Sequence, residues 1–379
     1  MLFSSWLRNW KRSAAFRRAQ TSPGQRAGFR PRLEAFEDRW LPSGLPYSTA
    51  ATVRQLIADI NYADNAGGSF TINLTPGTTF DLKTVNNTTN GANGLPVVGG
   101  AKAVDLTILG NGDTLERVGG FTFDKRGVPS NPFRLFDVAP GASLTLDHVT
   151  LHGGWAYGSV GGAIYNQGML KVINGSTLTG NGADSGGGIY NDGGTVTVSN
   201  GTLAGNHALS FAGGIYNNGG TVTVSNGSTL SGNSASYSGG GIYTNGGTVT
   251  VSNGTLSSNA ARFGGGIYNV GGTVTVSNGS TLSGNAAFHA DYPWSGGDGG
   301  GIYNSGGTVT ISNSILSGNT GLYGGGISNG GTVTVKNSCS ITGNKANGLD
   351  EDVYNFGVLY LEISTSTIGV LHGNPAIPI

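Results

Sequence analysis

The sequence predicts an all-β chain folded as a single-stranded parallel β-helix, a solenoid of about 25 residues per coil with a short N-terminal capping helix. Three observations predict it. The first is a repeat, Gly-Gly-Ile-Tyr-Asn-x-Gly-Gly-Thr-Val-Thr-Val-Ser-Asn followed by Thr-Leu-Ser-Gly-Asn. Its isoleucine falls at Ile164, Ile189, Ile215, Ile242, Ile267, Ile302 and Ile327, at spacings of 25, 26, 27, 25, 35 and 25 residues. Self-similarity on this scale means a solenoid or a propeller, and a propeller blade needs about 40 residues. The second is the pattern inside one unit. Thr195-Val196-Thr197-Val198 alternates polar and apolar with period 2, and Gly188-Ile189-Tyr190 and Thr202-Leu203-Ala204 are shorter segments of the same kind. Three strands per coil follow, with Ile189, Val196, Val198 and Leu203 pointing inward. The third is the corners. Gly186-Gly187-Gly188 supplies residues that accept positive φ. Asn recurs after the third strand (Asn181, Asn206, Asn233, Asn259, Asn285, Asn319, Asn344) and after the second (Asn200, Asn226, Asn253, Asn278, Asn313, Asn337), as expected of stacked amide ladders and left-handed turns.

The elements follow in order. Residues 1–46, rich in Arg, Ser, Pro and Gly, form a basic leader, disordered or processed. Segment 47–69 holds the capping helix: Val53, Leu56, Ile57 and Ile60 fall at i, i+3, i+4 and i+7, which predicts a helix over 50–64. A stack of β-coils needs such a cap, because its open end is a template for aggregation. Residues 70–159 form irregular coils around Phe70-Thr-Ile-Asn-Leu, Leu106-Thr-Ile-Leu, Phe133-Arg-Leu-Phe and Leu144-Thr-Leu-Asp-His-Val-Thr-Leu. The regular coils occupy 160–356, and 357–379 closes the far end.

Gly-Gly-Ala-Ile-Tyr-Asn at 161–166, its Gly-Gly-Gly-Ile-Tyr-Asn successors and the closing Leu-x-Gly-Asn of each coil resemble the Gly-Gly-Ala-Ile and Phe-x-x-Asn repeats of chlamydial polymorphic outer membrane proteins. Leu178, Leu203 and Leu230 stand where that family has Phe. Thr52-Val53-Arg54-Gln55-Leu56-Ile57 is similar to the Cys-Ser-Leu-Arg-Glu-Ala-Ile segment that opens many bacterial β-helix surface proteins, with Ala51 in place of the Cys. Pro31 to Leu41 resembles a Leu-Glu-x-x-Glu-x-Arg-x-Leu leader of large planctomycete surface proteins. Together these resemblances imply a right-handed β-helix at a bacterial cell surface or outside the cell, in a family that contains binders more often than known enzymes.

Composition narrows the rest. The chain has 379 residues, 70 of them glycine, and only 11% are charged, which argues for one repetitive body. Net charge is zero, yet residues 1–45 carry nine Lys/Arg against three acids. That basic excess sits on the leader with no stripe along the coils, so no nucleic-acid partner is expected. Arg8 and Lys11 interrupt the apolar start before it reaches the length of a secretory h-region. No run approaches the roughly 18 apolar residues of a transmembrane helix. The lone Cys339 reads as a packed side chain. His148 and His152 lack a third ligand, so neither a metal nor a cofactor is expected.

Polysaccharide lyases and hydrolases on this architecture need clustered carboxylates. Between Thr150 and Asn347 the sequence has only Asp184, Asp192, Asp291 and Asp298. The enzyme alternative therefore rests on Asp137, Asp147 and Asp184 converging across coils, or on Asp291 with Asp298. The most individual feature is an insertion after Asn285, with Phe288, His289, Asp291, Tyr292 and Trp294 as candidate ligand-binding residues, since exposed aromatics anchor sugars and protein partners. If Ile points inward, Tyr190, Tyr216, Tyr243, Tyr268 and Tyr303 form an outward row that can bind glycans or simply stack. The Thr-x-Thr pairs, from Thr195 and Thr197 to Thr332 and Thr334, resemble the flat faces of β-helical ice-binding proteins. The expectation is a non-catalytic, exported, adhesin-like protein that binds a glycan or a cell-surface protein. An ice-binding or purely structural surface role is the further alternative.

Overall fold

The computed structural model describes residues 47–118, 131–288, 297–347 and 349–379. It is a parallel β-helix, but each regular coil holds four strands rather than three. In the coil beginning at Ile189 they run Ile189–Asp192, Thr195–Ser199, Thr202–Ala204 and His207–Phe211. Each pairs in parallel with its equivalents in the coils before and after. Among the described residues the strands collect into an Ile-Tyr sheet of 10, a Thr-Val sheet of 13, a Thr-Leu sheet of 11 and a fourth sheet of 9. The fourth strand escapes a period-2 reading because it shrinks to two residues in other coils, as at Ser234–Ala235 and Ala260–Ala261. Two residues carry no periodicity.

The first three sheets enclose the core. Ile189, Val196, Val198 and Leu203 are fully buried, as are their equivalents in every regular coil. Burying one such side chain is worth about 1.5–3 kcal/mol, and that gain exists only when a neighbouring coil covers it. The variable coil length is absorbed outside these sheets. A Ser inserted before the Thr-Leu strand is one site: Ser228 Oγ donates to Val198 O and accepts from Gly201 N–H of the shorter preceding coil. The fourth strand and the turn after it are the other. Register on the Thr-Val sheet is therefore unbroken, with Thr195 opposite Thr221, then Thr248, Thr273, Thr308 and Thr332.

Two buried amide ladders hold the corners. In the first, each Asn from Asn181 to Asn319 donates through its backbone N–H and Nδ2 to Oδ1 of the next coil's Asn, at 2.8–3.1 Å. The amide-to-amide bonds all point the same way along the stack, while Nδ2 also donates back to the Leu carbonyl of the preceding coil, and the ladder ends on a carboxylate. Asn344 donates to Oδ1 of Asp352, whose Oδ2 takes Val370 N–H. The second ladder, missed in the sequence, runs through the Asn of Ile-Tyr-Asn in two runs: Asn166, Asn191 and Asn217 to Thr244, whose Oγ1 donates to Gly246 O instead of continuing it, and Asn269, Asn304, Asn329 and Asn355. The Asn residues after the second strand do adopt the left-handed conformation, with φ between 45° and 57°.

The glycine triplet needs a different reason at each position. Only the first glycine has positive φ, 65° at Gly186. A Cβ on Gly187 would lie 2.3 Å from His207 O, the fourth strand of the next coil, and one on Gly188 2.7 Å from Gly214 O. The last two glycines are there because backbones pass too close for any side chain.

The capping helix spans Val53–Ala66. Thr52 Oγ1 accepts from Gln55 N–H at 3.2 Å while Gln55 Oε1 accepts from Ala51 N–H at 2.9 Å, a reciprocal cap that fixes the start. Leu56, Ile60 and Ala63 are buried in the common core, with Val53 and Ile57 partly buried against it. A strand not anticipated from sequence, Tyr47–Ala50, precedes the helix and pairs with Gly68–Leu74. At the other end Val358–Leu361 pairs with Thr332–Lys336 and with Ile377–Pro378. Cys339 is buried, its Sγ bonded to Lys336 O, and burial pushes its thiol pKa up.

Candidate binding faces

Because Ile189 points into the core, the next residue of that strand points out, and parallel register stacks it on its equivalents. The resulting column reads Asp137, Tyr165, Tyr190, Tyr216, Tyr243, Tyr268, Tyr303, Ser328, Tyr354. Tyr190 to Tyr303 are half-buried. Their rings lie face to face, with centroids 4.6, 4.7, 5.2 and 5.0 Å apart and interplanar angles of 2–23°. Each interior ring thus presents its faces to its neighbours, leaving edges and hydroxyls to a ligand. Burial raises the pKa of Tyr190, Tyr216 and Tyr303, and that of Tyr243 to about 12. Tyr190, Tyr216, Tyr243 and Tyr303 are therefore protonated phenols at physiological pH.

Sequence reasoning missed the aromatics that flank this row. Phe211, at the end of the fourth strand, packs edge-on to Tyr216 and tilted against Tyr243 at 5.2 Å. Phe263 lies 5.7 Å from Tyr303. Ser185, Phe211, Ser238 and Phe263 pair in one column. The signal was present as the residue before each small-residue triplet, but it becomes a column only once the fourth sheet is known.

The Thr face is flat and uniform. Along each strand the outward hydroxyls stand about 6.7 Å apart, and between coils about 4.8 Å. The five strands from Thr195–Ser199 to Thr308–Ser312 carry no charged residue. Thr221, Thr248, Thr273 and Thr308 are exposed, and the Thr197 to Thr334 column is half-buried.

Of the insertion, Phe288 is described. It is 47% exposed, its N–H donates to Ala261 O, and with His207, Ser234, Ser236 and Ala260 it lines a groove of about 190 Å³. Burial lowers the pKa of His207, whose ring stacks on Trp155 at 6.4 Å and whose Nδ1 meets Ser234 Oγ at 3.0 Å. His289, Asp291, Tyr292 and Trp294 lie outside the described residues.

The three carboxylates proposed to converge are held apart. Asp137 sits in the Ile-Tyr sheet. Asp147 ends a strand of the Thr-Val sheet, where it accepts from Asn174. Asp184 lies in the fourth sheet, where it accepts from Gly158 N–H. His148 occupies a left-handed turn with φ 56° while His152 is on a strand, so the two do not share a face. Among the described residues no three His, Cys, Asp or Glu side chains are grouped to hold a metal.

No protein family matches this chain, nor does any curated protein or solved structure. Among the described residues no helix is long and apolar enough to cross a membrane.

Proposed function

We propose that this chain is a non-catalytic, exported surface or extracellular β-helix that binds an extended glycan or a cell-surface protein through its lateral faces. The observation that carries the reading is periodicity: identical side chains recur once per coil over six consecutive Thr-x-Thr rungs and five stacked tyrosines. A surface that repeats every ~4.8 Å fits a ligand that also repeats, and many weak contacts then act together. The separation of Asp137, Asp147 and Asp184 onto three sheets supports the non-catalytic part. The repeat's resemblance to chlamydial polymorphic outer membrane proteins, and the leader's to planctomycete surface proteins, support export.

The test is retention of residues 46–379 on a panel of soluble and insoluble polysaccharides while new reducing or unsaturated ends are followed. Saturable retention without new ends is expected. New ends that vanish when one Asp is substituted would make the chain a lyase or hydrolase.

The flat, uncharged Thr face favours ice as a second ligand, because a rigid lattice of hydroxyls and methyls can order water without deforming. Thermal hysteresis lost in Thr223→Leu/Thr250→Leu would support it. Hysteresis absent from the unaltered chain would dismiss it.

A further inference from the structure

The ladders satisfy most interior polar groups of the regular coils, Asn166 Oδ1 and Ser328 Oγ being exceptions, but the head of the tyrosine row is built differently. Arg134 and Asp137 are both 0% exposed. Arg134 Nη2 donates to Asn90 O at 2.8 Å and to Ser159 Oγ at 2.7 Å, and its guanidinium lies 5.1 Å over the Tyr165 ring. Asp137 Oδ2 accepts from Asn90 Nδ2 at 3.2 Å. Beyond these bonds, Arg134 Nε and Nη1 and Asp137 Oδ1 are buried without a hydrogen-bond partner. The surroundings are polar as well. Tyr165 donates to Asp192 Oδ2 at 2.7 Å, and Gln167 and Asn218 bond the same carboxylate. Over the cluster lies the Asn90-Gly91 turn. A Cβ on Gly91 would stand 2.6 Å from Arg134 Nη2 and 2.8 Å from Ser159 Oγ, so the roof is seated directly on the guanidinium.

We infer that this cluster is a binding site for a carboxylate carrying a neighbouring hydroxyl, the chemistry of a sugar acid, reached when the Asn90-Gly91 roof lifts from Arg134. The site goes beyond the lateral faces and does not depend on them. The unpaired guanidinium N–H groups require an acceptor, and a charged donor pairs best with a carboxylate. The unpaired Asp137 oxygen takes the neighbouring hydroxyl. Each buried polar atom left without a partner disfavours the closed form, and a ligand that satisfies them recovers that cost on binding.

The charge balance makes the binding pH-dependent. Burial raises the Asp137 pKa to about 6, against the opposing pull of Arg134 and the Asn90 hydrogen bond. The other groups around it are Tyr165, whose pKa is raised, and Asp192, held ionised by its hydrogen bonds from Tyr165, Asn218 and Gln167. Because an unfolded aspartate releases its proton near pH 4, Asp137 stabilises the folded form at low pH, and that contribution is lost as pH rises through 6. An anionic ligand is accepted most readily while Asp137 is neutral.

The experiment titrates the full chain with D-glucuronate, and with glucose as the uncharged counterpart, from pH 5 to pH 8. Glucuronate is expected to bind and glucose not to. Affinity should fall by up to about tenfold per pH unit above pH 6. Asp137→Asn, which mimics the neutral acid, should bind glucuronate with that pH dependence removed. Arg134→Lys, checked for intact tyrosine stacking by near-ultraviolet circular dichroism, should lose binding at least tenfold. If Arg134→Lys does not fold, Asp137→Asn decides. Absence of glucuronate binding, equal binding of glucose, or a pH profile unchanged in Asp137→Asn would each overturn the assignment.

Discussion

Asn259→Ala is expected to destabilise the central coils by about 4 kcal/mol. The side chain makes four hydrogen bonds in a buried corner: Oδ1 accepts from Asn233 N–H and Nδ2, and Nδ2 donates to Leu230 O and Asn285 Oδ1. Each bond contributes about 1 kcal/mol net, and more where the abandoned partner is left dry. Asn253→Ala, six residues earlier in the same coil, is expected to cost only about 1 kcal/mol. Asn253 is exposed to solvent's reach and owes its place to a φ of 54°, which Ala tolerates at that modest cost. Denaturant midpoints of the two variants check the contrast. Amide hydrogen exchange should show protection lost first around residues 230–285 in Asn259→Ala, because solenoid coils depend on their immediate neighbours. Equal midpoints would mean that the ladder adds nothing beyond turn chemistry.

Gly240→Ala is expected to be worse per atom added, costing 3 kcal/mol or more for one methyl group. The new Cβ would stand 2.5 Å from Ala260 N, Ala260 O and Gly265 O. All three are backbone atoms, held by parallel pairing on both sides, so no rotamer change relieves the overlap and the cost exceeds the usual 1–3 kcal/mol of overpacking. Gly306 supplies the comparison, since nothing lies within 4 Å of a Cβ there and no positive φ is required. Gly306→Ala should be neutral or stabilising by up to about 0.5 kcal/mol through the unfolded chain. Thermal unfolding of the pair measures both, and a Gly240→Ala protein as stable as the unaltered one would show that the fourth strand can be displaced without loss.

The repeat made most of the fold legible. A period of about 25 residues with one Ile, two Val and one Leu per unit can bury its apolar side chains only by stacking, so the solenoid and the inward set follow from spacing and hydrophobicity alone. Outward Tyr and Thr columns follow from the two-residue period of a strand. The capping helix was readable from its apolar spacing, and its first and last turns shifted by two or three residues because the Thr52-Gln55 cap and the Gly67 exit set the ends.

What stayed hidden depends on contacts between coils. A fourth strand of two residues has no pattern, and its approach to the next coil is what excludes side chains from Gly187 and Gly240. Asn191 looked like a strand residue beside Tyr190, yet register made it a rung of a second ladder. Asp137 read as a candidate member of a carboxylate cluster with Asp147 and Asp184, and Arg134 as part of an irregular coil; only folding placed the two together, buried and partly unpaired, beneath Asn90, 44 residues upstream of Arg134. The sequence by itself determined the architecture, the core and the periodic faces, because those depend on composition repeated at a fixed interval. Tertiary structure alone decided where backbones crowd, how the tyrosine rings face and which charges are sealed from water, because each is a distance between residues that the chain brings together from different coils.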